Sequence, residues 1–168
     1  MTAPTAKPSG ATPLDARGLV IGVIGARWNH DIVERLQRGA IDAIAECGST
    51  AVTASAPGAF ELPYAARVLA RSGEVDAIVV VGAVIRGETT HYELVSEGCA
   101  SGVMSVQLST GIPIGLGVAT VESHDQAVAR SSDQHNVGRD AALAAIEMAL
   151  LSRNWVTTTR TAPVDGKE

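Results

Sequence analysis

Residues 75–93 read VDAIVVVGAVIRGETTHYE. The first part, Val75 to Gly82, is a short unbroken apolar run, the kind of strand that sits in a parallel sheet covered on both faces. In open sheets of that type ligands bind outside the carboxyl ends of the strands. The loop that follows carries Arg86, Glu88, Thr89, Thr90 and His91, and chemistry is expected there. From about Thr90 the spacing of Leu94, Val95, Cys99, Val103 and Val106 predicts a helix with one buried stripe. The Gly87–Thr90 turn would then lie at a helix N-terminus, where free amides and the helix dipole favour a phosphate or another anion. His91 falls in the first turn, and because histidine as a residue type serves in proton exchange, the pairing suggests acid/base work on a phosphorylated substrate.

Outward from this stretch the same alternation recurs. Leu19–Gly25 (LVIGVIG), Thr50–Ser55 (TAVTAS), Asp76–Gly82 and Ile112–Ala119 (IPIGLGVA) each read as a strand. Helical segments follow all four. Asp31–Cys47 places Ile32, Leu36, Ala40, Ala43 and Ile44 on one side and meets a stop signal at Gly48. Ala65–Ala70 belongs to a second helix, His91 to about Leu108 to a third, and Asp125–Arg130 to a fourth, where Ser123 and Gln126 resemble a capping box. The last helix starts after Asn136, a favourable N-cap, and runs through AALAAIEMALL. Such alternation predicts an α/β domain, a three-layer α/β/α sandwich around a four-stranded parallel sheet.

With 168 residues, 46% hydrophobic and 18% charged, the chain can fill one core over residues 18–153. Residues 1–17, rich in Pro, Ser, Gly and Thr, and residues 154–168 read as flexible ends. No apolar run approaches a membrane span and the N-terminus lacks the apolar centre of a secretory signal, so a cytoplasmic protein is expected. A net charge of -5 without a Lys/Arg face gives nucleic acid no footprint. Cys47 and Cys99 are isolated in apolar helical contexts and read as packing, and nothing has metal-ligand spacing.

Four loops gather at one sheet edge: Arg27–His30, the 56–61 segment APGAFE, the GET loop at 87–89, and the region after Thr120. Aromatic residues make up only 3% of the chain, so Trp28, Phe60 and Tyr92 in these loops point to a planar ligand or to a sealed edge. Glu61 can accept hydroxyl protons from a polyhydroxylated ligand or stand as a solvated helix-start charge. Arg130 is a phosphate clamp or a plain helix C-terminal cation. His30, His124 and His135 are expected at the surface. A P-loop is missing, and Gly22 and Gly25 only partly match a dinucleotide fingerprint.

PGAFELP at 57–63, GAVIRGETTHYELV at 82–95 and the spacing from there to Arg130 resemble the lumazine synthase family, over about residues 18–152. Arg27–Asn29 and the AALAAIEMA run fit the same pattern. The resemblance implies a flavodoxin-like fold and condensation of 5-amino-6-(D-ribitylamino)uracil with 3,4-dihydroxy-2-butanone 4-phosphate, without cofactor or metal. It implies that Trp28 stacks on the pyrimidine, that Ala59, Phe60 and Glu61 hold the ribityl chain, and that Ala83, Val84 and Ile85 line the uracil side. It further implies that Glu88 and Thr89 hold the phosphorylated butanone, that Arg130 clamps its phosphate, and that His91 donates and shuttles protons. Leu116 would reach a neighbouring subunit's site, because members of the family form pentamers with sites between subunits, some packed into decamers or a sixty-subunit shell.

The chain departs from the family pattern at several positions. Thr90 and Tyr92 flank the histidine where many members have Pro and Phe, Leu116 replaces a frequent Phe, and Val137 stands where Lys is usual. The last two leave open a noncatalytic shell-forming or ligand-binding paralogue. An FMN-binding flavodoxin-like carrier would use the same fold and an aromatic beside a planar ring.

Overall fold

The computed structural model describes residues 14–160, with side chains described as far as Trp155. Four parallel strands, β1 (Val20–Ala26), β2 (Thr50–Ala56), β3 (Ala77–Ile85) and β4 (Ile114–Val121), form one sheet in the order β2-β1-β3-β4. Helices α1 (His30–Glu46), α2 (Leu62–Ser72), α3 (His91–Thr110), α4 (His124–Arg130) and α5 (Val137–Arg160) complete the domain. A two-stranded hairpin, β5 (Ser131–Ser132) with β6 (His135–Asn136), links the last two helices.

Alternation along the strands makes the three layers. Ile21 and Val23 of β1 and Val79 and Val81 of β3 face α1 and α5, where they meet Leu36, Ala40, Ile44, Ala142 and Ile146. Ile24, Ile78 and Val80 point the other way, onto Leu62 and Ala66 of α2 and Cys99 and Val103 of α3. With helices on both sides, β3 is buried along nearly its whole length, which is why its sequence reads as a continuous apolar run. Burying each Ile or Leu of this set stabilises the fold by about 1.5–3 kcal/mol.

The helix ends follow from their residues. Gly48, Gly73 and Gly111 adopt positive φ just past α1, α2 and α3, where a side chain would be strained. Asn136 caps α5: its Oδ1 accepts from the Arg139 amide at 3.0 Å while its Nδ2 donates to the Arg35 carbonyl at 2.9 Å. Gly39 of α1 leaves the room this amide needs, since a Cβ there would overlap the Asn136 side chain. The capping box at α4 is a variant. Ser123 Oγ accepts from the Gln126 amide at 3.3 Å, but Gln126 Oε1 reaches back to the Glu122 amide, one residue before the cap.

The structure corrects three sequence expectations. The third strand does not end at Gly82 but runs to Ile85, and Ala83 and Ile85 pair with Ala119 and Val121. Gly82 pairs with Val118 inside the ladder, and a Cβ there would meet Leu62, Ala26 and Val118 only at ordinary contact distances, so the strand runs on through it. The N-terminal segment expected to be flexible through Arg17 is anchored from Leu14: Ala16 is fully buried, its amide donates to the Cys47 carbonyl at 2.9 Å, and Ser49 donates to its carbonyl. Residues 1–13 lie outside the described residues. At the other end α5 continues to Arg160, past Asn154, because no Gly or Pro follows Gly138 until Pro163 and each added residue contributes a helical hydrogen bond. Residues 161–168 also lie outside the described residues.

Candidate active site

The chain leaves β1 toward β2 on one side of the sheet and finds β3 on the other, so the carboxyl ends of β1 and β3 border the topological switch point. The first loop is fastened across that gap. Asn29 is the one non-glycine residue with positive φ (56°) among the described residues, a conformation that Asn tolerates better than most. Its Nδ2 donates to the Ala83 carbonyl at 2.9 Å, while its own carbonyl accepts from the Ile32 and Val33 amides that begin α1. Trp28, one residue earlier, projects from the sheet edge and is 75% exposed.

The second loop supplies the facing wall. Gly58 is extended, and Ala59–Glu61 form a single 3-10 turn that leads into α2. A Cβ on Gly58 would sit 3.2 Å from Trp28 Cδ1, so the glycine allows the indole to lie against this backbone. Ala59 is buried, whereas Phe60 and Glu61 are exposed at the rim. The Phe60 ring lies on α3 at Gly98, where a Cβ would approach it to 2.7 Å.

The end of β3 forms the floor, with Ala83 and Val84 buried and Ile85 half-buried. Thr90 precedes α3 without making a side-chain cap, and His91 opens the helix in an exposed position. A cavity of about 680 Å³ at this point is lined by Trp28, Asn29, Gly58, Ala59, Phe60, Glu61, Ala83, Val84, Ile85, His91, Leu94 and Val95. A larger cavity of about 740 Å³ lies between α1 and the β5–β6 hairpin, with mixed charges (Arg35, Arg38, Asp42, Glu46) and no aromatic or histidine. Chemistry favours the smaller one, since only it joins apolar walls for a planar ligand to a titratable side chain at a strand's carboxyl end.

Eight of the residues singled out from sequence therefore share one cavity: Trp28, Ala59, Phe60, Glu61, Ala83, Val84, Ile85 and His91. Glu88 and Thr89 are exposed on the adjoining loop and do not line it. Arg130, at the end of α4, lines a separate cavity of about 510 Å³ with Val118–Val121, Gln126, Ala129 and Val137. Leu116 sits mid-strand on the sheet's edge, paired with Val80 and 46% exposed. Neither residue lines the cavity that holds His91. Sequence reasoning did not pick out Leu94 and Val95 as walls, because at helical spacing they read as core, and it gave no role to Gly98, whose only signal is the lack of a side chain.

The ion pairs of the region centre on Arg86. Its Nε donates to Glu122 Oε2 at 2.6 Å, its Nη1 pairs with Glu93 Oε1, and its guanidinium lies 4.1 Å over the Tyr92 ring. The Arg86 charge holds the Glu93 carboxyl below the usual glutamate range, and the two carboxylates push Arg86 further up. Among the described residues no group of three or more His, Cys, Asp or Glu is arranged to hold a metal, and no helix is long and apolar enough to cross a membrane.

Residues 18–153 match the sequence model of the family described as 6,7-dimethyl-8-ribityllumazine synthase. The chain belongs to the lumazine synthase family. The match spans all four strands of the sheet and every loop that contributes to the aromatic-walled cavity. Lumazine synthase membership gives the chain a lumazine synthase-type role in riboflavin biosynthesis, of the transferase class. The all-parallel sheet flanked by helices is the flavodoxin-like α/β/α sandwich that the resemblance implies for the lumazine synthase fold.

Proposed function

We propose that this protein condenses 5-amino-6-(D-ribitylamino)uracil with 3,4-dihydroxy-2-butanone 4-phosphate to form 6,7-dimethyl-8-ribityllumazine, releasing phosphate and water. The observation that carries the reading is the convergence of Trp28, the Ala59–Glu61 turn, Ala83–Ile85 and His91 on one cavity in a chain of this family. The indole of Trp28 and the apolar ends of β3 suit a pyrimidine ring. The Glu61 carboxylate and the 3-10 turn suit the hydroxyls of a ribityl chain.

In the reaction the pyrimidine amine attacks the ketone carbon as the carbonyl oxygen takes up a proton and later leaves as water. His91 is the group placed to donate and shuttle that proton. Loss of the C3 proton then expels phosphate from C4 with the C–O electron pair, the backbone amides of the GET loop at Glu88 and Thr89 together with Arg130 holding the charge that develops, and the ribitylamino nitrogen closes the ring on the new C3 carbonyl as a second water leaves. Holding two reactive molecules in register accounts for much of the acceleration.

Arg130 and Leu116 do not line the His91 cavity of their own chain, which supports a site completed by an adjacent copy in a homo-oligomer, a pentamer in this family. A decamer or a larger shell is compatible with that site. The composition supports a cytoplasmic setting and a partner list limited to small-molecule substrates and further copies of the chain.

Ribitylaminouracil titrated into the protein tests the pyrimidine half of the site. The chain has two tryptophans, so Trp28→Phe separates the signal of Trp28 from that of Trp155. Saturable quenching that disappears in Trp28→Phe supports the assignment, and undiminished quenching in the variant removes it. Binding of ribitylated ligand without turnover would favour a noncatalytic paralogue, and a reversibly reducible yellow flavin carried through purification would favour an FMN protein.

A further inference from the structure

Arg86 stands at the root of the GET loop, yet its guanidinium is engaged by protein: Glu122 at 2.6 Å, Glu93, and the face of Tyr92. Its backbone amide also donates to the Val121 carbonyl at 2.9 Å. The side-chain bond to Glu93 spans seven residues and closes Gly87–Tyr92 into a ring. Tying the feet of a short loop reduces the conformations its tip can reach. The second arm runs to the segment between β4 and α4, where the Glu122 amide donates to Gln126 Oε1 at 2.9 Å. One planar cation thus joins the loop that bears Glu88, Thr89 and His91 to the first turn of the helix that ends at Arg130.

We propose that Arg86 is a positioning residue, which holds the Gly87–Tyr92 loop and the start of α4 in one fixed relation so that the phosphorylated substrate meets a preorganised loop. The inference rests on the condensation reading for its kinetic part. Three features support it. A guanidinium can serve two carboxylates and stack on a ring at once, which an ammonium cannot match. Glu93 is held by Arg86 through Oε1 while its Oε2 is buried without a side-chain partner among the described residues, so loss of the cation releases the Glu93 side chain at the first turn of α3. Both ion pairs are partly exposed, so their contribution to global stability is small and their effect should be local.

The test compares wild type with Arg86→Gln and Arg86→Lys in steady-state condensation, varying each substrate in turn, and follows amide hydrogen exchange at 87–92 and 122–126. We expect the KM for the butanone phosphate to rise about tenfold in Arg86→Gln, as misplacement of binding groups does, with the KM for the pyrimidine little changed. Exchange should speed up in both segments, and Arg86→Lys should recover only part of each effect. Unchanged KM values together with unchanged exchange would overturn the inference, as would an equal rise in both KM values accompanied by a large drop in Tm. Should Arg86→Gln fail to fold, Glu93→Gln and Glu122→Gln each remove one arm; a smaller rise in the same KM in each supports positioning, and no change in either overturns it. Should wild type itself show no condensation, the functional reading falls, and the exchange comparison alone decides whether Arg86 orders the loop.

Discussion

Asn29 Nδ2 donates to the Ala83 carbonyl oxygen at 2.9 Å, which ties the loop after β1 to the carboxyl end of β3 across the switch point of the sheet. The bond joins the segment that carries Trp28 to the strand that forms the cavity floor. It also fixes Asn29 in the left-handed region, at φ 56°.

Two substitutions separate these functions of Asn29. Asn29→Gly keeps the backbone conformation and loses the bond, at a cost of about 1 kcal/mol. Asn29→Ala loses the bond and places a Cβ in the left-handed region, adding about 1 kcal/mol. Denaturant melts should rank Ala below Gly below wild type. Equal stabilities for the two variants would mean the backbone conformation carries no cost here.

The Asn136 cap gives a nonadditive pair. Asn136→Ala should cost about 2 kcal/mol, through the lost cap and the lost bond to the Arg35 carbonyl. Gly39→Ala alone should also destabilise, because its new methyl overlaps the Asn136 amide, although alanine is otherwise the better helix former. In the double variant the overlap is gone, so the cost should fall well short of the sum, as a double-mutant cycle would report. Simple addition would place the strain elsewhere.

Acid should weaken the contact between α1 and α5 in a defined direction. Glu46 pairs with Arg139 through both oxygens, and that hydrogen-bonded cation lowers the Glu46 carboxyl from its ordinary range. A depressed carboxyl means that the unfolded chain binds the proton more readily than the folded one. The contribution is therefore present above the ordinary glutamate range and is lost as pH falls through the lowered folded value. Glu46→Gln should flatten the stability profile below pH 5 and leave its slope near neutrality unchanged; an identical acid slope would show that the pair does not persist in solution.

Much of the architecture was legible because β3 has apolar residues on both faces, and only a sheet covered on both sides calls for that pattern. The boundary at Ile85 was not. Gly82 looks like punctuation in a sequence, but here it stands inside the ladder opposite Val118, and only the strand pairing reveals that. Ala16 was misread for a similar reason: a Pro- and Ser-rich context masks one alanine that fills the core beside α1. Within the site, Trp28, Phe60 and His91 stood out because such residues are scarce and fall in loops. That Arg130 and Leu116 do not line the His91 cavity could not be read from spacing, since it depends on which end of β4 and α4 each occupies.

The proton shuttle and the phosphate clamp should behave differently. His91→Ala should keep measurable activity, because positioning survives loss of the proton shuttle, while kcat falls by about a hundredfold or more. Arg130→Ala should mainly raise the KM for the butanone phosphate, by about ten- to a hundredfold, the worth of one charged hydrogen bond. An unchanged KM would remove Arg130 from the phosphate site.

Cys99 offers a check on the core beneath α3. Burial pushes its thiol up to about 11, and Cys47 is raised in the same direction for the same first cause. Both cysteines are free and buried, so a thiol reagent at pH 8 should label neither until the chain unfolds. Rapid labelling of Cys99 in the native protein would mean that α3 opens readily from the sheet.

Lumazine formation from the two substrates, followed by absorbance and fluorescence against the spontaneous reaction, bears most directly on the proposed activity. Acceleration well above background by the wild-type protein is the expected result. A folded protein that leaves the spontaneous rate unchanged would contradict the proposed activity.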